Sequence, residues 1–272
     1  MLLSLVVLLL GYDSVSTLYR FSSPEKISGH NISVMSYNVR LFNLYNWIET
    51  PNVEQEIQEF VKKENPDVIA FQEFHPHKNL NFSGYPYRYE SLSGKKAKYG
   101  QAIFSKYKIV DKGGIKFSKT NNKAIYADIL KGGDTIRVYN IHFQSMQINS
   151  NTKELSEQNT EYLVKRIGQR FEMQQEQAKT VLQHQEQCNY KKIVLGDFNN
   201  TAYSYIYKQF KKAKYKDAFE LAGNGFGKTY DFKFFPLRID FILLSDYMEV
   251  SSFKNYSSKY SDHYPIQAEI TW

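Results

Sequence analysis

Six times between residues 31 and 272, a short strand-forming run in this chain stops at a residue that ionises or carries an amide. Asn38 closes NISVMSYN, Glu73 stands near the end of DVIAFQEF, and His142 lies in YNIHFQS. Asp197 and Asn199 follow Ile193-Val194-Leu195, Asp240 lies in RIDFI, and Asp262-His263 in SDHYP. Burying such a group at the end of an apolar strand is costly unless a partner or a ligand satisfies it. One case is an ordinary turn. Six cases of complementary chemistry point to one shared site. In KKIVLGDFNN the carboxylate of Asp197 and the amide of Asn199 are two residues apart and leave a strand on the same face. That stretch alone reads equally well as a turn, because Gly, Asp and Asn are turn formers.

Between these strand ends the chain alternates elements without repeats or Pro/Gly-rich linkers, so one domain is the simplest reading. Val53, Ile57, Phe60 and Val61 have helical spacing and stop before Pro66. Strands are expected at 31–39, 67–74, YGQAIFS, YKIVDKG, RIDFILL, MEVSSFKNY and PIQAEITW, with Gly132-Gly133-Asp134 turning a hairpin. The Gln- and Glu-rich stretch from 153 to about 187 predicts two helices or one broken near Gly168, and another helix starts near 202. The 22 Tyr and 19 Phe suit sheets. Two packed sheets flanked by helices are the natural outcome.

Leu2 to Leu10 is almost wholly aliphatic, and Asp13 is the only charged side chain before Tyr19. Nine helical residues span roughly 14 Å, half a bilayer's hydrocarbon core. Residues 1–20 are therefore read as a hydrophobic export or membrane-anchoring segment and 21–272 as the catalytic domain, located at the membrane or exported to the cell envelope. The net charge of +7 suits an anionic partner, nucleic acid or a phospholipid surface. The lysines at 208, 211, 212, 214 and 216 read as a solvated helix face. One cysteine, Cys188, excludes an intrachain disulfide and a cysteine zinc cluster. His30 and His184 have no acidic or cysteine pattern around them, and His75 and His77, close behind Glu73 and within reach of a substrate, read better as surface-loop histidines.

MSYNVR, FQEF, YGQAIFSK, NIHFQS, GDFNNT, RIDFIL and SDHYPI, in this order, resemble the endonuclease/exonuclease/phosphatase superfamily with its deoxyribonuclease-I-like fold, over about residues 31 to 272. SYNVRLFNLYNW and GFGKTY further resemble a bacterial branch with hydrophobic N-terminal segments. The resemblance implies an α/β (α+β) four-layer sandwich, two packed mixed β-sheets flanked by helices. It implies Mg²⁺, with Mn²⁺ as the alternative, held principally by Glu73 with Asn38 and Asp262 nearby. Asp197 would orient or deprotonate the attacking water, and Asn199 would bind the nucleophile or a phosphoryl oxygen. His142 would hydrogen-bond the phosphate, with Glu90 offered as its carboxylate partner, and Tyr99 would touch the phosphate. Asp240 would hold His263, because Asp262, its chain neighbour, points to the opposite face.

The resulting expectation is a Mg²⁺-dependent phosphoric ester hydrolase, a phosphodiesterase or nuclease first, working as a monomer on nucleic acid or a phospholipid headgroup and reaching the membrane through its N-terminal segment. The alternative is a lipid-directed phosphodiesterase or phosphatase, sphingomyelinase-like or phosphoinositide-like. FNNTAYS in place of LNYR, and RIDFIL without Cys-Asp-Arg, lower the inositol reading. From another class, a catalytically silent membrane-anchored binding module would be expected to lose some of Glu73, Asp197, Asp240 and His263, and all four are present.

Overall fold

The computed structural model describes residues 17–22, 27–94, 98–118, 120–146, 160–233 and 235–272. The proposed export segment lies outside them except for residues 17–20. Three of those four contact the domain: β1 (Tyr19–Arg20) pairs with β11 (Gly225–Phe226), and Arg238 donates to the Thr17 carbonyl.

The remaining strands form two six-stranded sheets. In the first, β10 (Lys216–Asp217), β12 (Asp240–Leu244), β9 (Lys191–Asp197), β8 (Asp134–His142), β7 (Lys123–Lys131) and β6 (Ile109–Lys116) lie side by side. In the second the order is β13 (Glu249–Asn255), β14 (Ile266–Thr271), β2 (Asn31–Asn38), β3 (Val68–Phe74), β5 (Tyr99–Ser105) and β4 (Tyr87–Ser93). Each sheet has one parallel pair, β8 with β9 and β2 with β3, and is otherwise antiparallel. Each parallel pair is bridged by a helix, as parallel connections require: α1 (Val53–Glu64) and α2 (Thr160–Glu186). The shorter helices are α3 (Tyr205–Lys212) and α4 (Ala218–Ala222).

Period-two patterning places every layer. Ile32 and Val34 of β2 face inward with Val68, Ile103, Ile136, Val138, Ile193 and Leu195 to fill the space between the sheets. Met35 and Tyr37, one residue out of step, face α1 through Val53, Ile57 and Val61. On the far side Tyr139, Ile141 and Phe241 meet Ala178 and Val181 of α2 and Phe210 of α3. This is a four-layer α/β sandwich of two mixed sheets flanked by helices. Phe71 is fully buried among Phe42, Phe74, Phe82 and Phe104, and truncating such a ring to alanine costs about 3–5 kcal/mol.

Two expectations need correction. The helix does not break at Gly168: it runs unbroken from Thr160 to Glu186, with open space around that glycine. A single helical glycine costs only about 1 kcal/mol, less than packing against a sheet returns. Residues 153–159 of the expected stretch lie outside the described residues. The strand Tyr87–Ser93 was not foreseen as an element; it is a mostly exposed edge strand and lacks an apolar face to announce it.

The two sheets are joined by a buried polar knot. Asn140 of β8 donates to the carbonyls of Phe71 and Ala102 on the opposite sheet, at 2.8 and 3.0 Å. Its own carbonyl accepts from Gln72 at 2.7 Å and Gln101 at 3.3 Å. Every hydrogen-bonding capacity of the Asn140 amide is used, so the buried group carries no desolvation penalty and fixes how the sheets register.

Candidate active site

Strand direction gathers the polar strand ends at one edge. Asn38, Glu73, His142 and Asp197 stand at or next to the C-terminal ends of β2, β3, β8 and β9, the four strands of the two parallel pairs. Asp240 begins β12, which runs antiparallel to β9 and sets Asp240 opposite Asp197. His263 precedes β14, antiparallel to β2, and so arrives at the same end. His142 also sits in register with Asp197.

Gly196 explains why the apolar run of β9 ends in Gly-Asp. Its φ is +140°, and a Cβ there would lie 2.0 Å from the Ile141 carbonyl oxygen. Only glycine lets β9 approach β8 this closely while turning Asp197 into the site.

Asp197 is buried and accepts three hydrogen bonds from amide donors. The Asn199 backbone N–H donates to Oδ1 at 2.7 Å, and Oδ2 accepts from the side chains of Asn199 and Asn38, each at 3.1 Å. Two imidazoles also face Oδ2, His142 and His263, each with Nε2 3.7 Å away. Burial pushes the Asp197 carboxyl above its ordinary range; His263 opposes this, Asp240 adds to it, and His142 and the Asn199 N–H oppose it. Asn199 reaches its position through a left-handed backbone, φ +50°, a conformation that Asn tolerates better than most residues.

His263 is held from the other side. Its Nδ1 lies 2.9 Å from Asp240 Oδ2, and the Tyr230 ring packs edge-on against the imidazole at 4.9 Å. The backbone N–H of Asp240 donates to Thr229, a fully buried hydroxyl. Burial disfavours the imidazolium, but Asp240, Asp197 and the hydrogen bond to Asp240 outweigh it and raise the His263 pKa to about 10. With the pKa raised, both ring nitrogens carry protons at neutral pH: Nδ1–H is engaged by Asp240, and Nε2–H faces Asp197.

Glu73 is built differently. The β3–β5 register shifts between Phe71 and Phe74, and Glu73 has φ +48°, so the bulge swings its carboxylate out of the ladder and leaves it a third exposed. The Asn38 amide donates to it at 3.4 Å, and His142 Nε2 stands 4.0 Å away. The Asn38 carbonyl oxygen accepts the Arg40 backbone N–H. Asp262 is paired with the Arg40 guanidinium at 3.3 Å.

Glu73 and His142 line a cleft with Tyr99, which is 44% exposed, and with Asn122 and Lys123. The carboxylates facing His142 within 4.0 Å are Glu73 and Asp197. Glu90, offered as its partner, instead lies mid-strand in β4 opposite Ala102. Lys123, Arg40, Thr229 and Tyr230 were not singled out by the sequence reading. Lys123 and Arg40 lack a local motif, and Thr229 and Tyr230 reach the site only through long-range pairing. His75 is tied to the Lys98 carbonyl and His77 accepts from Asn79.

A model of the Endonuclease/Exonuclease/phosphatase family matches residues 35–263. The chain belongs to this family. The Bacteroides vulgatus endonuclease/exonuclease/phosphatase superposes with a TM-score of 0.69 at 18% identity, covering 89% of this chain and 98% of that one. The catalytic domain of human nocturnin with bound sulfate gives 0.67 at 18% identity, covering 88% and 94%. Humanized D. rerio TDP2 gives 0.65 at 16% identity, covering 89% and 99%. Comparison with curated proteins gives no match. At these identities the likeness establishes the shared fold, and the chemistry must be argued from the side chains.

Among the described residues, Asp197, Asp240 and His263 offer ligand atoms within 4.8 Å of one another. Within that trio His263 Nδ1 is already engaged by Asp240 at 2.9 Å, as a hydrogen-bonded pair beside the Asp197 carboxylate. Glu73, a third exposed, stands beside Asn38, and together they offer oxygen donors of the kind a small divalent ion takes.

Proposed function

We propose that the chain is a divalent-metal-dependent phosphoester hydrolase that acts foremost on the phosphodiesters of nucleic acid. The observation that carries this reading is the buried line Asp240–His263–Asp197, in which one carboxylate orients an imidazole whose free nitrogen faces a second, amide-cradled carboxylate. Such an arrangement serves a water attacking a tetrahedral phosphorus: Asp197, fixed by Asn38 and Asn199, takes the water's proton. His263, held by Asp240, presents an N–H beside the same spot and stabilises charge on a phosphoryl oxygen. His142 and Tyr99 are placed to hydrogen-bond the phosphate or its leaving group from the cleft side. Asn199, which also binds the Phe143 carbonyl, is kept rigid for contact with the nucleophile.

The donor set fits Mg²⁺ or Mn²⁺: Glu73, with Asn38, would hold the ion, and Asp262 would join only by leaving Arg40. When bound, such an ion neutralises phosphoryl charge and lowers the barrier to attack. Phosphate-ester hydrolysis needs accelerations of up to roughly 10¹⁷-fold, whereas a single general base supplies about 10²–10⁴. A site combining acid–base groups, preorganised donors and a cation is therefore expected. The net charge of +7 favours a polyanionic substrate.

The test is hydrolysis of a simple phosphodiester and a simple phosphomonoester by the full chain, with Mg²⁺ and with chelator. Metal-dependent cleavage of the diester, reduced about 10²–10⁴-fold by His263→Ala, is the expected result. Cleavage of the monoester alone would move the reading to a phosphatase, and no turnover of either would overturn it.

A further inference from the structure

The segment following β2 does not follow the rules of an ordinary loop. Arg40, Leu41, Phe42 and Asn43 all have φ between +41° and +60°, and Asn46 has φ +54°. None is glycine, and L-residues avoid this region. Strain of this kind persists only where the surroundings dictate it, and it gathers at functional sites. Here two devices hold it. Leu41 and Phe42 are buried, the latter against Phe71 and Phe74. The Asn43 side chain both donates to the Ile48 carbonyl at 2.8 Å and accepts its N–H at 2.9 Å, closing the loop on itself.

What this rigid loop presents to solvent is aromatic. Tyr45 is 61% exposed and Trp47 44%, their rings edge-on at 5.1 Å. The Arg40 guanidinium lies 4.6 Å over the Trp47 ring and 3.3 Å from Asp262, the neighbour of His263. Through Arg40, Trp47 is therefore tied to Asp262, the chain neighbour of His263, which sets it on the rim of the site with a cation between.

We propose that Trp47 and Tyr45 form a stacking subsite for a nucleobase flanking the scissile phosphate. This rests on the phosphodiesterase reading and deepens it by naming what lies beside the phosphate. Flat, pre-ordered rings beside an arginine are what base stacking requires, and any base serves because each has a π-face. An anionic lipid surface fits less well. It would meet the loop as a plane and cover Glu49, Glu54 and Glu56, which follow directly, whereas a single base makes a point contact.

The experiment measures binding of a labelled short oligothymidylate to the full chain in chelator, against an abasic oligonucleotide with the same backbone. Reading affinity without turnover keeps this test separate from the hydrolysis assay, so either reading can fail alone. Trp47→Ala and Tyr45→Ala are expected to weaken oligothymidylate binding roughly 5- to 100-fold, to leave abasic binding unchanged, and Trp47→Phe to retain most of the affinity. Both positions are exposed, and thermal unfolding verifies that each variant is folded. Unchanged affinity in Trp47→Ala, equal weakening toward both oligonucleotides, or no oligothymidylate binding by the parent chain would overturn the subsite. Capture of the parent chain, but not of Trp47→Ala, by phosphatidylserine vesicles would also overturn it and assign the rings to a lipid surface.

Discussion

The two halves of the site are built on opposite plans. The half on β8, β9 and β12 is a ladder that departs from regular backbone only at Gly196 and at Asn199 just past its end: His142, Asp197 and Asp240 are fixed by strand register, and Asp197 and Asp240 are almost wholly buried. The half on β2 and β3 depends on broken rules: Glu73 sits on a bulge at φ +48°, and the Arg40–Asn43 run is left-handed. Groups that handle protons need fixed geometry and low dielectric, which a central ladder provides. On the proposed reading Glu73 must stand out of the ladder to meet a cation or a substrate, and strained backbone places it there.

If the ladder half is as tightly specified as its geometry implies, Gly196 is its weakest point to perturb. Gly196→Ala sets a Cβ against the Ile141 carbonyl at a φ that L-residues avoid, and a loss of about 2–4 kcal/mol is expected from strain and overpacking together. Gly133→Ala is the matched control: φ is +87° there too, but nothing lies within 4 Å, so the cost is only the backbone term of about 1 kcal/mol. Denaturant midpoints decide. Equal losses at the two positions would mean that the β8–β9 approach is slack and that the contrast between halves is overstated.

The ladder half should also announce itself in the pH dependence of stability. The folded-state pKa of His263 is raised to about 10 from an ordinary 6.5. The imidazolium thus stabilises the fold fully below pH 6.5, and that contribution is lost as pH rises toward 10. Unfolding free energy measured in chelator should decline across this window. His263→Gln should flatten the decline while lowering stability at neutral pH. A parent chain with no such slope would mean that Asp240 and Asp197 hold the ring less tightly than their distances imply.

Legibility in the sequence divides along the same line. Strand ends of the ladder half could be read because period-two patterning and the Gly-Asp break are local signals, while the pairing of Asp240 with His263 came from the family resemblance, since no local pattern links two residues 23 apart. The strained half could not. Glu73 was visible as a residue, but its bulge and its left-handed φ carry no glycine to betray them, and the Arg40–Asn43 turn is written with Arg, Leu, Phe and Asn. Asn140, Gln72 and Gln101 sit inside apolar strands, and only the facing sheet shows that they tie together. Glu90 was misplaced beside His142 because nothing local says that β4 is an edge strand, and Gly168 was read as a break because tertiary packing overrides a single weak propensity.

The smallest expected stability change tests the strained half most directly. Glu73→Gly removes both the carboxylate and the Cβ that make φ +48° unfavourable. Relief of roughly 1–2 kcal/mol from a left-handed L-residue is offset by about 0.5–1 kcal/mol of extra chain entropy, so the melting temperature should hold steady or rise slightly. Most substitutions of a partly buried, hydrogen-bonded residue destabilise by around 1 kcal/mol, so the sign itself is informative. On the proposed metal-dependent reading Mg²⁺ is expected to raise the parent chain's melting temperature through preferential binding to the folded state, and the same variant should lose that rise. Glu73→Gln, which keeps the strain and loses the charge, should lose the Mg²⁺ response without any gain in stability. If Glu73→Gly instead melts well below the parent, the bulge is held by the Glu73 side chain itself, and strain at this position is a consequence of the site rather than a condition for building it.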